Sequence, residues 1–144
     1  MIYNLFEAKI SYGKEVEPGM MKKVSESYLL DVMSFTEAEA RIIKEMEPFI
    51  SNEFCVMSIK RANYSEIIDS GDGDRYYSCK VEFIHLDEKS GAEKRQANYM
   101  LVKAMNIDDA KTYLQKGMSG TLADYEIVAI KETKIMDVFL HDRE

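Results

Sequence analysis

A chain of 144 residues is long enough to bury a sizeable core as one domain, so neither a structural metal nor a disulfide framework is called for. Apolar residues supply 46% of the chain and charged ones 31%, which excludes an intrinsically disordered protein. A net charge of −7 speaks against non-specific coating of duplex nucleic acid, because that affinity comes from lysine and arginine neutralising phosphates, but it leaves room for a local basic strip.

The opening segment MIYNLFEAKI has neither a basic flank nor a long apolar run, so it reads as neither signal peptide nor membrane span. A cytoplasmic location and no membrane partner are the resulting expectations. Phe6, Ala8, Ile10 and Tyr12 then alternate with Glu7, Lys9 and Ser11, the period of a strand with one wet face. The turn-rich stretch GKEVEPG leads into a second apolar run, which predicts a β-hairpin.

Ser34-Phe35-Thr36-Glu37 has the spacing of a helix capping box, in which the serine oxygen accepts from a free amide and the glutamate reaches back. Behind it Ala38, Ile42 and Met46 recur at helical spacing, Glu37, Arg41, Lys44 and Glu45 are expected to face water, and Pro48 limits the helix. A third strand runs through CVMSI, with a fourth short one expected around Tyr64 to Ile68. Asp69 to Arg75 (DSGDGDR) reads as a solvated linker. Its three aspartates lack the order and the closing glutamate of a calcium loop.

The same order of elements is then written again. FEAKISY from Phe6 matches YSCKVEF from Tyr77 at an offset of 71. YLLDVMSFTEA from Tyr28 matches MLVKAMNIDDA from Met100 at 72, and FCVMSIKRANYSEII from Phe54 matches YEIVAIKETKIMDVF from Tyr125 at 71 again. In the second copy LDEKSGAEK is the hairpin turn, Asn106-Ile107-Asp108-Asp109 is a weaker capping box, and Ala110, Tyr113 and Leu114 form the helix stripe. Gly117 is the expected left-handed stop, and Ile135 to Phe139 a further short strand.

The sequence therefore predicts an α+β protein, residues 1–144 as a single domain, built of two tandem β-β-α-β repeats at 6–68 and 76–140 with a linker at 69–75. The repeats are expected to be related by a pseudo-two-fold axis, with antiparallel sheet covered on one face by one helix per repeat. Leu29 and Leu101 stand at the parity opposite to Leu30 and Val102, and Met57, Ile59, Val128 and Ile130 opposite to Val56 and Ile127. Part of the second sheet face is thus expected to be apolar, covered by the other repeat or by a second chain in a homo-dimer.

Catalytic chemistry finds no foothold in the sequence. Cys55 and Cys79 lie in apolar strand-like runs and read as two buried thiols. His85 and His141 share no zinc spacing with them, and His85 reads as a surface residue beside a hairpin turn. No nucleophile elbow, Walker loop or GxGxxG is present, so no enzyme activity and no cofactor are expected. The basic residues carry the alternative. Lys9 falls on Lys80, Lys22-Lys23 on Lys94-Arg95, and Lys60 on Lys131, which on a two-fold sheet would make two related positive strips. With Tyr64, Tyr76 and Tyr99 as stacking groups, such strips would suit single-stranded nucleic acid. The competing explanation is that duplication copied ordinary solvent-facing lysines, some of which protect edge strands.

The segments SFTEAEARIIKEMEPFI, IKRANYSE, LDEKSGAEK and GTLADYEI resemble a family of small proteins of Bacteroides-type gut bacteria and their phages, domain of unknown function 4494. The resemblance spans nearly the whole chain. It implies a phage or mobile-element accessory protein and assigns no residue a role. The sequence reading is therefore a non-enzymatic binding or structural module acting on a protein partner or on itself, with single-stranded nucleic-acid binding as the alternative.

Overall fold

The computed structural model describes residues 3–141 and holds two compact units, one of residues 3–63 with 134–141 and the other of Tyr64–Thr133. In the first, β1 (Leu5–Glu17) and β2 (Met20–Asp31) form an antiparallel hairpin, α1 (Phe35–Met46) follows, and β3 (Phe54–Ala62) returns to pair with β1. In the second, β5 (Arg75–Leu86), β6 (Glu93–Ala104), α2 (Ile107–Met118) and β7 (Asp124–Glu132) repeat that order. The protein is α+β, with the β-β-α-β order present twice.

The fourth strands change places. β4 (Glu66–Asp69), which follows β3 in the chain, pairs in parallel with β6. β8 (Ile135–Phe139), which follows β7, pairs in parallel with β2. The sheets accordingly run β3-β1-β2-β8 and β4-β6-β5-β7. A parallel neighbour cannot be reached through a tight turn, because its chain must cross from the far end of the sheet. β8 coincides with the expected strand, and β4 overlaps the expected Tyr64 to Ile68 but extends to Asp69, which was expected in the linker; the sheet membership of both was not expected.

In the central strands the pairing register reproduces the repeat, although β1 and β2 shift register near their turn, at Glu15/Glu17, where β5 and β6 do not. Phe6 opposes Leu30 as Tyr77 opposes Val102, and Ile10 opposes Val56 as Val81 opposes Ile127. A β-bulge interrupts β3 beside Lys9/Ile10, and another interrupts β7 beside Lys80/Val81. These bulges correct the parity reading. The extra residue, Met57 or Val128, is exposed, and the strand resumes with its alternation shifted, so that Val56 and Ile59 both pack on one core and Ile127 and Ile130 both on the other. Leu29 and Leu101 are fully buried, although neither belongs to its unit's helix-covered cluster.

Each helix packs on one face of its sheet through matching residues, Ala38, Ile42 and Met46 in α1 and Ala110, Leu114 and Met118 in α2. Both start in reciprocal caps. Ser34 Oγ accepts from the Glu37 amide at 3.1 Å while Glu37 Oε2 accepts from the Met33 amide at 3.0 Å. Asn106 and Asp109 do the same, at 2.8 Å from the Asp109 amide and 3.0 Å from the Met105 amide. Ser34→Ala is therefore expected to lower the unfolding free energy by about 1 kcal/mol, read from the urea midpoint. An unchanged midpoint would show that the cap contributes nothing.

Three further expectations are corrected. Gly117 does not stop α2. It lies inside the helix, where a Cβ would come within 2.7 Å of Ile68 Cδ1, so glycine serves close packing of α2 on β4. The GKEVEPG stretch is mostly strand, since β1 runs to Glu17 and only Pro18-Gly19 turn. Cys79 is buried, its thiol pushed up to about 11 by burial, but Cys55 is exposed on β3, between Phe54 and Val56, which turn inward. Among the described residues, no helix is long and apolar enough to cross a membrane.

Candidate functional site

The eight recurring basic residues occupy equivalent strand positions in the two units. Lys60 and Lys131 stand on β3 and β7, which are edge strands, and Lys9 and Lys80 on the central β1 and β5. Lys22, Lys23, Lys94 and Arg95 lie near the hairpin ends. Carboxylates already hold three of them. Lys60 Nζ lies 3.5 Å from Glu7, and Lys94 Nζ lies 3.2 Å from Asp87. Arg95 meets Glu126 at 2.6 Å, Glu82 at 3.4 Å and Glu93 at 3.5 Å, and the Glu126 contact leads in raising its pKa. Of the proposed stacking groups, Tyr99 is exposed and Tyr64 half-buried, whereas Tyr76 is only 5% exposed and offers no platform to a base.

A different constellation, assembled from β1, β2, α1, the connection after it and β8, forms a cleft of about 430 Å³ in the first unit. That volume lies in the usual range for small-ligand sites. Its walls are Tyr12, Tyr28, Met46, Ile50 and Phe139, with Phe49 and Met136 exposed at the mouth and Glu26, Glu45 and Asp137 supplying carboxylates. Tyr12, Glu26 and Tyr28 come together because β1 and β2 are paired with Ala8 opposite Tyr28 and Ile10 opposite Glu26. The parallel pairing of β8 sets Asp137 opposite Tyr28 and stacks the Phe139 ring on Tyr28, centroids 5.7 Å apart and planes 20° from parallel.

Polar contacts fix this lining. Tyr28 Oη donates to Glu26 Oε1 at 3.0 Å. Burial first, and then the Glu26 charge, raise the pKa of both Tyr28 and Tyr12, so both phenols stay protonated at neutral pH. Arg41 Nε reaches Glu45 Oε1 at 2.8 Å while its Nη2 donates to the Leu140 carbonyl at 3.2 Å, tying α1 to the end of β8. Arg41 and Glu45, expected to face water, are in fact half-buried at the edge of the cleft.

The matching positions of the second unit are different. By register, Phe83 stands for Tyr12, Asn98 for Glu26, Met100 for Tyr28, Glu66 for Asp137 and Ile68 for Phe139. By position in the helix, Gly117 stands for Glu45. Where α2 has a glycine with Ile68 pressed beside it, α1 carries a full glutamate side chain next to the space that remains open. The sequence reading missed these residues because it sought what the copies share. The usable signal was the reverse, the aligned pairs Tyr28/Met100 and Glu26/Asn98 at which the copies part.

The fold and this cleft define a small α+β protein of two β-β-α-β units, the first of which carries a cleft lined by aromatic side chains. The chain belongs to the family described as Domain of unknown function (DUF4494), which matches residues 4–141. No curated protein and no solved structure matches it.

Proposed function

We propose that the protein is a non-enzymatic binding module whose site is the aromatic cleft of the first unit; the phage or mobile-element setting implied by the resemblance is part of this proposal. One observation carries the reading: Glu26, Tyr28, Glu45 and Phe139 of the cleft give way to Asn98, Met100, Gly117 and Ile68 in the second unit, although the central strands of the two units pair in the same register. Shared residues serve the shared fold, whereas residues peculiar to one copy are free to serve a ligand. The lining supports binding over catalysis. It contains no serine, cysteine, histidine or lysine, its phenols are held protonated, and Glu26 and Glu45 are engaged by Tyr28 and Arg41. The nucleic-acid alternative gains no comparable support, since Lys60, Lys94 and Arg95 face carboxylates.

Titration of the labelled protein with a panel of neutral, anionic and cationic fragments, followed by NMR, tests the proposal. Shifts are expected to gather on Tyr12, Tyr28, Ile50 and Phe139. Equal shifts on Phe83, Met100 and Ile68, or none at the cleft, would refute it.

A further inference from the structure

The chemistry of the lining narrows the occupant further, on the reading that the cleft is the binding site. Four aromatic rings, Tyr12, Tyr28, Phe49 and Phe139, share it with three carboxylates, and neither lysine nor arginine is among its lining residues. An anion would meet like charge. Aromatic faces and carboxylates both attract positive charge, the rings through their quadrupole.

The kind of cation follows from the contacts already made. A metal ion needs several converging oxygen ligands, and the Glu45 carboxylate is already paired with Arg41. No group of three or more metal-ligating side chains occurs among the described residues. A primary ammonium or guanidinium likewise brings several donors that each require an acceptor. An alkylated ammonium is different: its charge is spread over methyl groups, it donates few or no hydrogen bonds, and its apolar surface suits Met46, Ile50 and the ring faces. We infer that the cleft is a receptor for an alkylammonium head group of the trimethylammonium kind. The rings receive its methyl groups, and Glu26 and Asp137 supply the opposing charge, Glu45 being paired with Arg41. The second unit, with Asn98, Met100, Gly117 and Ile68 at the corresponding places, lacks most of these features and serves as an internal control.

Calorimetric and NMR titration of the whole chain with choline, tetramethylammonium and 3,3-dimethylbutan-1-ol, the uncharged isostere of choline, at constant ionic strength tests the inference. Choline is expected to bind about tenfold more tightly than the isostere, with shifts on Tyr12, Tyr28 and Phe139. Glu26→Gln should weaken choline several-fold and leave the isostere unchanged. Phe49 is 80% exposed, so Phe49→Ala should keep the fold and weaken both. Comparison of choline with N-acetyl-trimethyllysine amide then tells whether the preferred head group is borne by a small molecule or by a peptide side chain. Equal affinity for choline and its isostere would overturn the cation inference while leaving the cleft as a binding site. If none of the probes perturbs the cleft while fragments of other chemistry do, the cation inference alone falls; if no fragment does, both readings fall.

Discussion

Phe6→Ala is expected to lower the unfolding free energy by about 3–5 kcal/mol, the range for deleting a fully buried phenylalanine. Phe6 is completely inaccessible and lies in the core between β1 and α1. It meets the Phe35 ring edge-on at 4.8 Å, and the Arg61 guanidinium lies 5.0 Å from its centroid. Alanine would leave a void that strands held by backbone pairing on both sides of β1 cannot close, and would also remove the aromatic and cationic contacts. Phe6→Leu should recover much of the loss, since it restores most of the volume. Urea unfolding provides the measurement, and a change in Phe6→Ala below about 1 kcal/mol would mean that the cavity collapses or that this core contributes little.

Gly73→Ala should be comparably damaging, at about 3 kcal/mol or more, for two separable reasons. Its φ of +88° is a conformation that L side chains rarely adopt, and a Cβ there would stand 2.3 Å from the Ala104 carbonyl carbon and 2.6 Å from the Met105 nitrogen. Those are backbone atoms at the junction of β6 and the α2 cap, so no side-chain rotation can relieve the clash. Gly71→Ala is the matched control. Gly71 has a similar φ of +82° but open space around its Cβ, so its replacement should cost only the conformational part, about 1–2 kcal/mol. Equal urea midpoints for the two variants would show that the approach to Ala104 carries no penalty.

The cleft puts the duplication in a different light. Lys9/Lys80 and Lys60/Lys131 recur at matching strand positions, yet recurrence is what a shared backbone produces whether or not a residue binds anything. Lys60 and Lys131 stand on edge strands, where lysine discourages further strand pairing, and Lys60 also faces Glu7 across the β1–β3 ladder. Function is sought better where the copies differ. Tyr28 and Met100 occupy the same place in the fold, but only the tyrosine brings a hydroxyl to Glu26 and a flat face to Phe139.

Much of this architecture is determined by sequence-local physics. Alternation from Phe6 to Tyr12, the Ser34 and Asn106 caps and the stripe of Ala38, Ile42 and Met46 each fix an element through neighbours a few residues away, and the offset between copies carries the same elements across the chain. What the tertiary structure decided involves distances that no local pattern encodes. The bulges at Met57 and Val128 depend on pairing with β1 and β5, and they turn an apparent two-faced pattern into a single buried face. Gly117 reads as a helix stop until Ile68, from a strand nearly fifty residues earlier, is seen against it. Above all, β4 and β8 are each claimed by the sheet of the other repeat. A short apolar strand specifies that it must pair, but its partner is set by which exposed sheet edge the folded chain brings within reach. That choice delivers Asp137 and Phe139 to Tyr28 and so creates the cleft.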